Sequence, residues 1–179
     1  MKITPTPLAG VVLIEPRVFQ DARGFFMETF HSPRFREAGL PGDFVQDNHS
    51  HSIRGTLRGL HYQIEHPQGK LVRVVRGEIF DVAVDLRRSS PTFGQWFGAT
   101  LSEANRMMMF VPPHFAHGFC ATSESAEVVY KCTDIYHPEH ERTIVWNDVD
   151  LKIAWPTPSP LVSEKDLRGT PFRAATYFD

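Results

Sequence analysis

Two short stretches hold side chains whose types and spacing suit proton-transfer chemistry: Arg58-Gly-Leu-His61-Tyr-Gln and, after a polar loop, Gly69-Lys70-Leu-Val-Arg-Val. His61 is a titratable base lying between Leu60 and Tyr62. Arg58 stands three residues before it, and Lys70 opens an apolar, strand-like run. One base and two cations close in sequence fit a reaction in which a proton leaves carbon and the resulting oxyanion needs neutralising. A lone histidine beside a tyrosine is ordinarily a hydrogen-bonded structural residue, so these residues on their own favour the structural reading.

Such a site also needs a group to orient the base and an acid for the opposite face of the substrate. Tyr130, inside Val128-Val-Tyr-Lys-Cys132, is the acid candidate, with a bonded core phenol as its structural alternative. Asp81 and Asp166 are candidates to orient a histidine. Their alternatives are a turn-side carboxylate and a helix N-terminal charge. His117, before Gly118, is either a second orienting imidazole or a strand-end residue. A metal site is the competing chemistry. His49-Ser-His51 puts two imidazoles on one strand face, and the pairs His114/His117 and His137/His140 are each three apart. No carboxylate follows His49-Ser-His51 at short range; Arg54 and Arg58 do, and cations there oppose a metal ion, so no metal site is expected. His137 and His140 read as solvated surface in a Pro-Glu-His-Glu loop.

The chain has 179 residues, enough for one domain with a sizeable core, residues 1–179. Its hydrophobic content of 41% and charged content of 22% are those of an ordinary globular protein. A net charge of −2 gives no electrostatic footprint for nucleic acid or an anionic membrane, so an anionic ligand must be met by local cations. No apolar run reaches membrane-spanning length, and the N-terminus lacks a signal-peptide core. The two cysteines, Cys120 and Cys132, lie in apolar strand-like segments and read as buried thiols of a reducing cytoplasm.

The elements that must position these groups are short strands with frequent corners, since Phe and Pro each occur 14 times. Strands are expected at Val11–Ile14, Phe25–Phe30, Phe44–Ser52, Gln95–Leu101, Met107–Val111, Phe119–Thr122, Glu127–Thr133, Thr143–Trp146 and Leu151–Trp155. Lys70–Val75 and Glu78–Leu86, joined at Arg76-Gly77, read as a hairpin. In its second strand Phe80, Val82, Val84 and Leu86 share one face, and Ile79, Asp81, Ala83 and Asp85 the other. Ser32 as N-cap, Pro33 and Gly39 bound a short helix, and Ser163-Glu-Lys-Asp166 starts a helical turn. Many short strands without an internal repeat argue an all-β sandwich or barrel.

Six segments then occur in order: Arg58-Gly-Leu-His-Tyr-Gln, Gly69-Lys-Leu-Val-Arg-Val, Phe80-Asp-Val-Ala-Val-Asp-Leu-Arg, Val111-Pro-Pro-His-Phe-Ala-His-Gly-Phe, Tyr130-Lys-Cys-Thr-Asp-Ile-Tyr136 and Ser163-Glu-Lys-Asp166. Together, from about Ile14 to Asp166, they resemble the dTDP-4-dehydrorhamnose 3,5-epimerase family. The resemblance implies an all-β jelly roll of the cupin type, a homodimer, and neither metal nor organic cofactor. It implies dTDP-4-dehydro-6-deoxy-D-glucose as substrate, inverted at carbons 3 and 5 to dTDP-4-dehydro-L-rhamnose, a precursor of L-rhamnose in cell-surface glycans such as lipopolysaccharide. By the family's motif His61 is the base, Asp166 its orienting carboxylate, Tyr130 the acid and Lys70 the enolate's cation. Arg58 resembles a diphosphate or sugar contact, and His117 and Asp81 resemble further members of the site. Phe19, Arg23, Phe26 and Glu28 lie on a strand similar to the family's nucleotide-contacting segment, and Gln46, Asn48 and Tyr136 match other contact positions. His114 stands where the family usually has glycine, which implies a positive φ there. Other readings kept beside this one are a one-centre epimerase on a related dTDP-4-keto sugar, a metal-dependent cupin oxygenase and a non-catalytic nucleotide-sugar-binding cupin.

Overall fold

The computed structural model describes all 179 residues, Met1–Asp179. In chain order the strands are β1 (Lys2–Pro5), β2 (Val12–Glu15), β3 (Val18–Asp21), β4 (Gly24–Met27), β5 (Gln46–Ile53), β6 (Thr56–Gln63), β7 (Lys70–Arg76), β8 (Glu78–Asp85), β9 (Trp96–Ser102), β10 (Met108–Val111), β11 (Phe115–Ala121), β12 (Ser125–Cys132), β13 (Glu141–Thr143) and β14 (Leu161–Val162). Helix α1 (Ser32–Glu37) lies between β4 and β5, and α2 (Glu164–Leu167) follows β14. The first sheet has the order β1-β2-β10-β7-β12-β5, the second β13-β6-β11-β8-β9 with β14 also on β6, and β3-β4 form a separate ribbon. No helix is long and apolar enough to cross a membrane.

The main core lies between the two sheets. Val72, Val74, Met109, Val111 and Val128 come from the first sheet and meet Ile79, Ala83, Leu101, Phe115 and Phe119 from the second. This is the jelly roll that the family resemblance implied, and the chain builds it by repeatedly stepping from one sheet to the other. The step from β7 to β8 corrects the expected hairpin. These strands belong to different sheets, β7 between β10 and β12, and β8 between β11 and β9. Both strands are apolar on both faces: Leu71 faces the α1 side while Val72 and Val74 face the core, and Val82, Val84 and Leu86 back onto a second cluster. Such strands want a partner on each edge as well as cover on each face. Gly77 supplies the corner at φ +76, and a Cβ there would stand 2.0 Å from the Ser125 carbonyl oxygen.

Several other boundaries move. The stretch 56–63, not foreseen as a strand, is β6, central to the second sheet. β11 begins at Phe115, so His117 lies inside a strand. Leu151–Trp155 forms no strand; with the C-terminal segment it covers the outer face of the second sheet, where Trp155, Phe172, Tyr177 and Phe178 pack on Leu60, Tyr62, Val82, Val84 and Leu86. The expected strand from Phe19 to Glu28 is the β3–β4 ribbon, turning at Ala22-Arg23. Helix α1 is capped by His31, whose Nδ1 accepts from the Arg34 N–H at 3.4 Å, one residue earlier than the expected Ser32. His114 has φ +74, as its place in the glycine position implied.

The loop from β8 to β9 is held by one buried carboxylate. Asp85 accepts from the Arg87 N–H (3.0 Å), Arg87 Nε (2.9 Å) and Nη2 (2.8 Å), Ser90 Oγ (2.6 Å) and Thr92 Oγ1 (2.7 Å). Burial opposes its ionisation, but these donors outweigh burial and hold its pKa at about 2 against an ordinary 3.8. In the unfolded chain the carboxyl takes up its proton first as pH falls, so its stabilising effect is full above about pH 4 and is lost on the way down through pH 2. Asp85→Asn should therefore destabilise the fold by roughly 1–3 kcal/mol at neutral pH. The deficit should shrink towards pH 2 when urea melts of variant and wild type are compared; a deficit independent of pH would contradict this account.

Candidate active site

The site grows from an irregularity in β6. Its neighbour β11 sets His117 opposite His61 and Phe119 opposite Arg58, so two steps on β11 match three on β6. In a regular strand, residues three apart face opposite ways. The bulge turns Arg58 and His61 to the same side, and both line one cavity of about 740 Å³. Leu60 and Tyr62, flanking His61, pack into the cluster on the outer face. The bulge requires two backbones to touch: a Cβ on Gly59, at φ +127, would lie 2.5 Å from the Gly118 Cα.

Helix α2 brings the partner for His61. Ser163 Oγ caps it by accepting from the Asp166 N–H at 3.1 Å, and Asp166, 3% exposed, aims back at β6. His61 Nε2 donates to Asp166 Oδ1 at 2.7 Å, and the Gly59 N–H donates to Oδ2 at 3.2 Å. Burial disfavours the Asp166 carboxylate, yet the hydrogen bond and charge of His61, with Gly59 and Lys165, hold its pKa below the ordinary range. A second pair lies beside the first. His117 Nε2 donates to Asp81 Oδ1 at 2.8 Å, while Asp81, fully buried, has no partner for Oδ2.

The opposite wall comes from the first sheet. On β5, Gln46, Asn48, Ser50 and Ser52 alternate inward by the two-residue period. Tyr130 pairs in register with Asn48 and Val72, and Cys132 with Gln46 and Lys70, so these residues share that face. Tyr130, Lys70, Gln46 and Asn48 all line the cavity across from His61 and His117. Burial pushes the Tyr130 phenol up, against an opposing pull from Arg58, so it keeps its proton at neutral pH. Burial likewise pushes the Lys70 ammonium down, resisted by Cys132, Glu141 and Asp81. Arg58 is held by Ser52 Oγ and the His51 carbonyl, both at 3.1 Å.

At the rim, Tyr136 donates to Glu141 Oε2 at 2.7 Å, and Lys165 forms an ion pair with the same carboxylate. Burial and the Glu141 bond push the Tyr136 phenol to about 12. The wall thus carries Arg58, Lys70 and Lys165 against Glu141 and Asp166, a local cation excess in a chain of net charge −2. Glu141, Lys165, Gln63 and Gln68 were not singled out from sequence. Glu141 closes what reads as a surface loop, and only its pairing opposite Gln63 brings it to the cavity. Lys165 sits in a recognised segment but carried no signal of its own. Four expected site residues, Phe19, Arg23, Phe26 and Glu28, are not brought to this cavity. They lie on or just after the β3–β4 ribbon, where Phe19, Phe25 and Phe26 are exposed by 50%, 56% and 69%.

The sequence profile of the dTDP-4-dehydrorhamnose 3,5-epimerase family matches residues 5–174. A dTDP-4-dehydrorhamnose 3,5-epimerase of Pseudomonas aeruginosa is 59% identical, covering 99% of both chains. A crystal structure of a dTDP-6-deoxy-D-glucose-3,5-epimerase from Legionella pneumophila, in complex with dTDP-4-keto-L-rhamnose, superposes with a TM-score of 0.95 at 47% identity, covering 98% of this chain and 94% of that one. A dTDP-4-dehydrorhamnose 3-epimerase of Streptomyces niveus is more distant, at 41% identity over 93% of this chain and 81% of its own.

The Gly59–Gly118 contact yields a direct test. Gly59→Ala adds both the backbone strain of φ +127 and a steric overlap, whereas Gly24→Ala at φ +132 adds the strain alone, with nothing within 4 Å of its Cβ. The Gly59 substitution should cost roughly 1–3 kcal/mol more by urea denaturation, the cost of overpacking with the backbone shift it forces, since the strain is common to both. Equal losses at both positions would mean that the close approach does not constrain the strand.

Proposed function

The chain belongs to the dTDP-4-dehydrorhamnose 3,5-epimerase family, and from that premise we propose that it inverts carbons 3 and 5 of dTDP-4-dehydro-6-deoxy-D-glucose to give dTDP-4-dehydro-L-rhamnose. The observation that carries this reading is the opposition of a His61–Asp166 pair on one sheet to Tyr130 on the other, within one cavity. A base on one face removes a proton but does not by itself invert the centre; the replacement proton must come from the far side.

In this reading His61 donates Nε2–H to Asp166, leaving Nδ1 with its lone pair to take the proton from the carbon next to the ketone. Such a positioned base is worth roughly a hundred- to ten-thousand-fold. Electrons move onto the carbonyl oxygen, and Lys70 stabilises the enolate, a contribution of ~3 kcal/mol for one buried donor. Tyr130 then delivers its proton to the opposite face of the carbon. Its phenolate regains a proton from solvent, His61 releases the abstracted proton to solvent, and the cycle repeats at the second carbon. Arg58 eases the transient phenolate and contacts the diphosphate or sugar. His117 and Asp81 complete the wall behind the sugar, and Gln46, Asn48 and Tyr136 contact the ligand at the rim. The cations Lys70 and Arg58 supply the charge that the enolate and diphosphate need, so the scheme calls for no metal or organic cofactor. Substrate and product are nucleotide sugars, and with both cysteines free the reading assigns the enzyme to a reducing cytoplasm.

The ribbon residues Phe19, Arg23, Phe26 and Glu28 enter the scheme through a second copy. Exposed aromatic rings on a two-stranded ribbon, with Arg17 over Phe19 and Arg106 over Phe25, offer stacking and cationic contacts to a base and a diphosphate. The reading is a homodimer in which each ribbon reaches the other protomer's cavity. Sedimentation should give a dimer, and Phe26→Ala should raise KM several-fold with little change in kcat; a fully active monomer would overturn it.

Deuterium labelling separates the roles and the rivals. In deuterated water the enzyme should label and invert both carbons. His61→Asn should abolish exchange while nucleotide binding survives, since affinity comes largely from the diphosphate and thymidine. Tyr130→Phe preserves shape and should still label the substrate, yet yield little or no doubly inverted sugar. Inversion at the normal rate by Tyr130→Phe would assign the acid to another group. Labelling and inversion of a single carbon by the wild type would assign the chain to the one-centre activity named for the Streptomyces niveus relative. No exchange at all would leave the binding-module reading.

A further inference from the structure

A second group of chemically competent side chains lies at the edge of the cavity and takes no part in the scheme above. The loop between β6 and β7 carries His66, and the segment after β12 carries Asp134 and His137. One ligand atom from each of these three lies within 4.8 Å of the other two. His66 Nδ1 is 3.7 Å from Asp134 Oδ2, and the His66 and His137 rings stack with centroids 4.5 Å apart at 27°. The His140 ring is 5.7 Å from His66, and Glu139 Oε1 is 3.3 Å from His137 Nδ1 and 3.7 Å from His140 Nε2. Glu65 Oε2 adds a further carboxylate, 3.8 Å from His140 Nε2. The cation on this side, Arg142, is turned to the carbonyls of Glu139 and Glu141.

The backbones beneath these side chains are fixed. Gln63 donates to the His66 carbonyl (2.7 Å) and the Ile135 carbonyl (3.3 Å), and accepts from the His137 N–H (2.7 Å). Gln68 donates to the Asp134 carbonyl at 2.8 Å. Two imidazoles and one carboxylate therefore project from an ordered base into partial solvent, with side chains 52%, 26% and 40% exposed for His66, His137 and Asp134.

We infer that His66, Asp134 and His137 form a binding site for a divalent transition-metal ion of the zinc class, with water completing the coordination. Two nitrogens and one carboxylate oxygen select such borderline ions over magnesium or calcium, which take oxygen ligands. Tetrahedral coordination with bonds of about 2.0–2.1 Å sets ligand atoms about 3.4 Å apart. The three side chains reach that spacing by closing at most about 1.4 Å through side-chain rotation at the partly exposed surface. The neighbouring carboxylates Glu139 and Glu65 favour a cation there. Bound ion ties the His66 loop to the segment that carries Tyr136, a residue of the cavity wall. Its effect is thus on the order of that wall, separate from the proton transfers between His61 and Tyr130. The inference does not depend on which sugar the enzyme turns over.

The test uses tag-free, chelator-stripped full-length protein titrated with ZnCl2 by calorimetry, with thermal melts alongside. Wild type should bind one ion per chain saturably and gain melting temperature with zinc concentration, as binding to the folded state alone requires. MgCl2 should produce neither effect. His66→Asn, which suits the residue's φ of +54, and His137→Ala should each weaken zinc binding at least about tenfold, the loss expected even for a disturbed outer-shell partner. Their metal-free melts should match wild type, which shows that the fold is kept. His61→Asn and His49→Ala should bind zinc as wild type does. Absence of saturable binding at millimolar zinc, equal affinity in His66→Asn, or loss of the ion in His61→Asn would each overturn the assignment.

Discussion

The contact between Gly59 and Gly118 is the constraint on which the site depends. Two neighbouring strands approach so closely there that no side chain fits between them, and β6 gains one residue over β11. That extra residue sets Arg58 and His61 on one face. It also turns the Gly59 N–H out of the ladder and towards Asp166, so the same distortion that aims the imidazole anchors its carboxylate. Bulges commonly re-aim a side chain in this way, and here the re-aimed group is the proposed base.

Charge burial is the second constraint. Moving an ion from water into protein costs several kcal/mol after relaxation, so buried charges need partners. Asp166 is satisfied by His61 and Gly59, and Asp85 by Arg87, Ser90 and Thr92, and both carboxylates stay ionised. Asp81 is different: it is fully buried, engages His117 through one oxygen, and leaves the other unpartnered beneath the cavity. Lys70 is half-buried, with carboxylates and a thiol near it rather than in contact. At the cavity, Ser50 Oγ in the wall and Asp81 Oδ2 on the partner of His117 are left without a bond, while Asp166 is engaged on both oxygens. Unbonded polar atoms at a cavity wall are what a site that receives a polar ligand retains.

The jelly roll supplies what a single sheet does not: two walls whose side chains point at each other. His61 and His117 stand on the second sheet, and Tyr130 and Lys70 on the first, so the proposed base and the proposed acid face the cavity from opposite sides. Sheet crossings at short corners such as Gly77 keep the walls in fixed relation. The rim is assembled differently, from β13, α2 and the segment around Tyr136, where Glu141 joins Tyr136 to Lys165.

Much of this was legible in the chain itself. Apolar patterns marked β7, β8, β9, β10 and β12, because burial on one face writes a two-residue period into the sequence and burial on both writes a continuous apolar run. Ser163 and Asp166 announced their helical turn, and His61, Lys70 and Tyr130 stood out because few side chains combine titration with such apolar neighbours. Partnership was not legible. Periodicity tells which face a residue takes but not which strand lies beside it, so β7 and β8 read as a hairpin although they face each other across the core. The glycine-interrupted β6 hid as a strand because its bulge breaks the period that would have revealed it. Glu141 and Lys165 gave no signal, since a charged residue in a loop looks the same whether it meets solvent or a cavity. His66 could not be joined to His137 before the loops were brought together. Local chemistry is set by residue type, whereas proximity between segments distant in sequence is set by packing, and that only the tertiary structure decided.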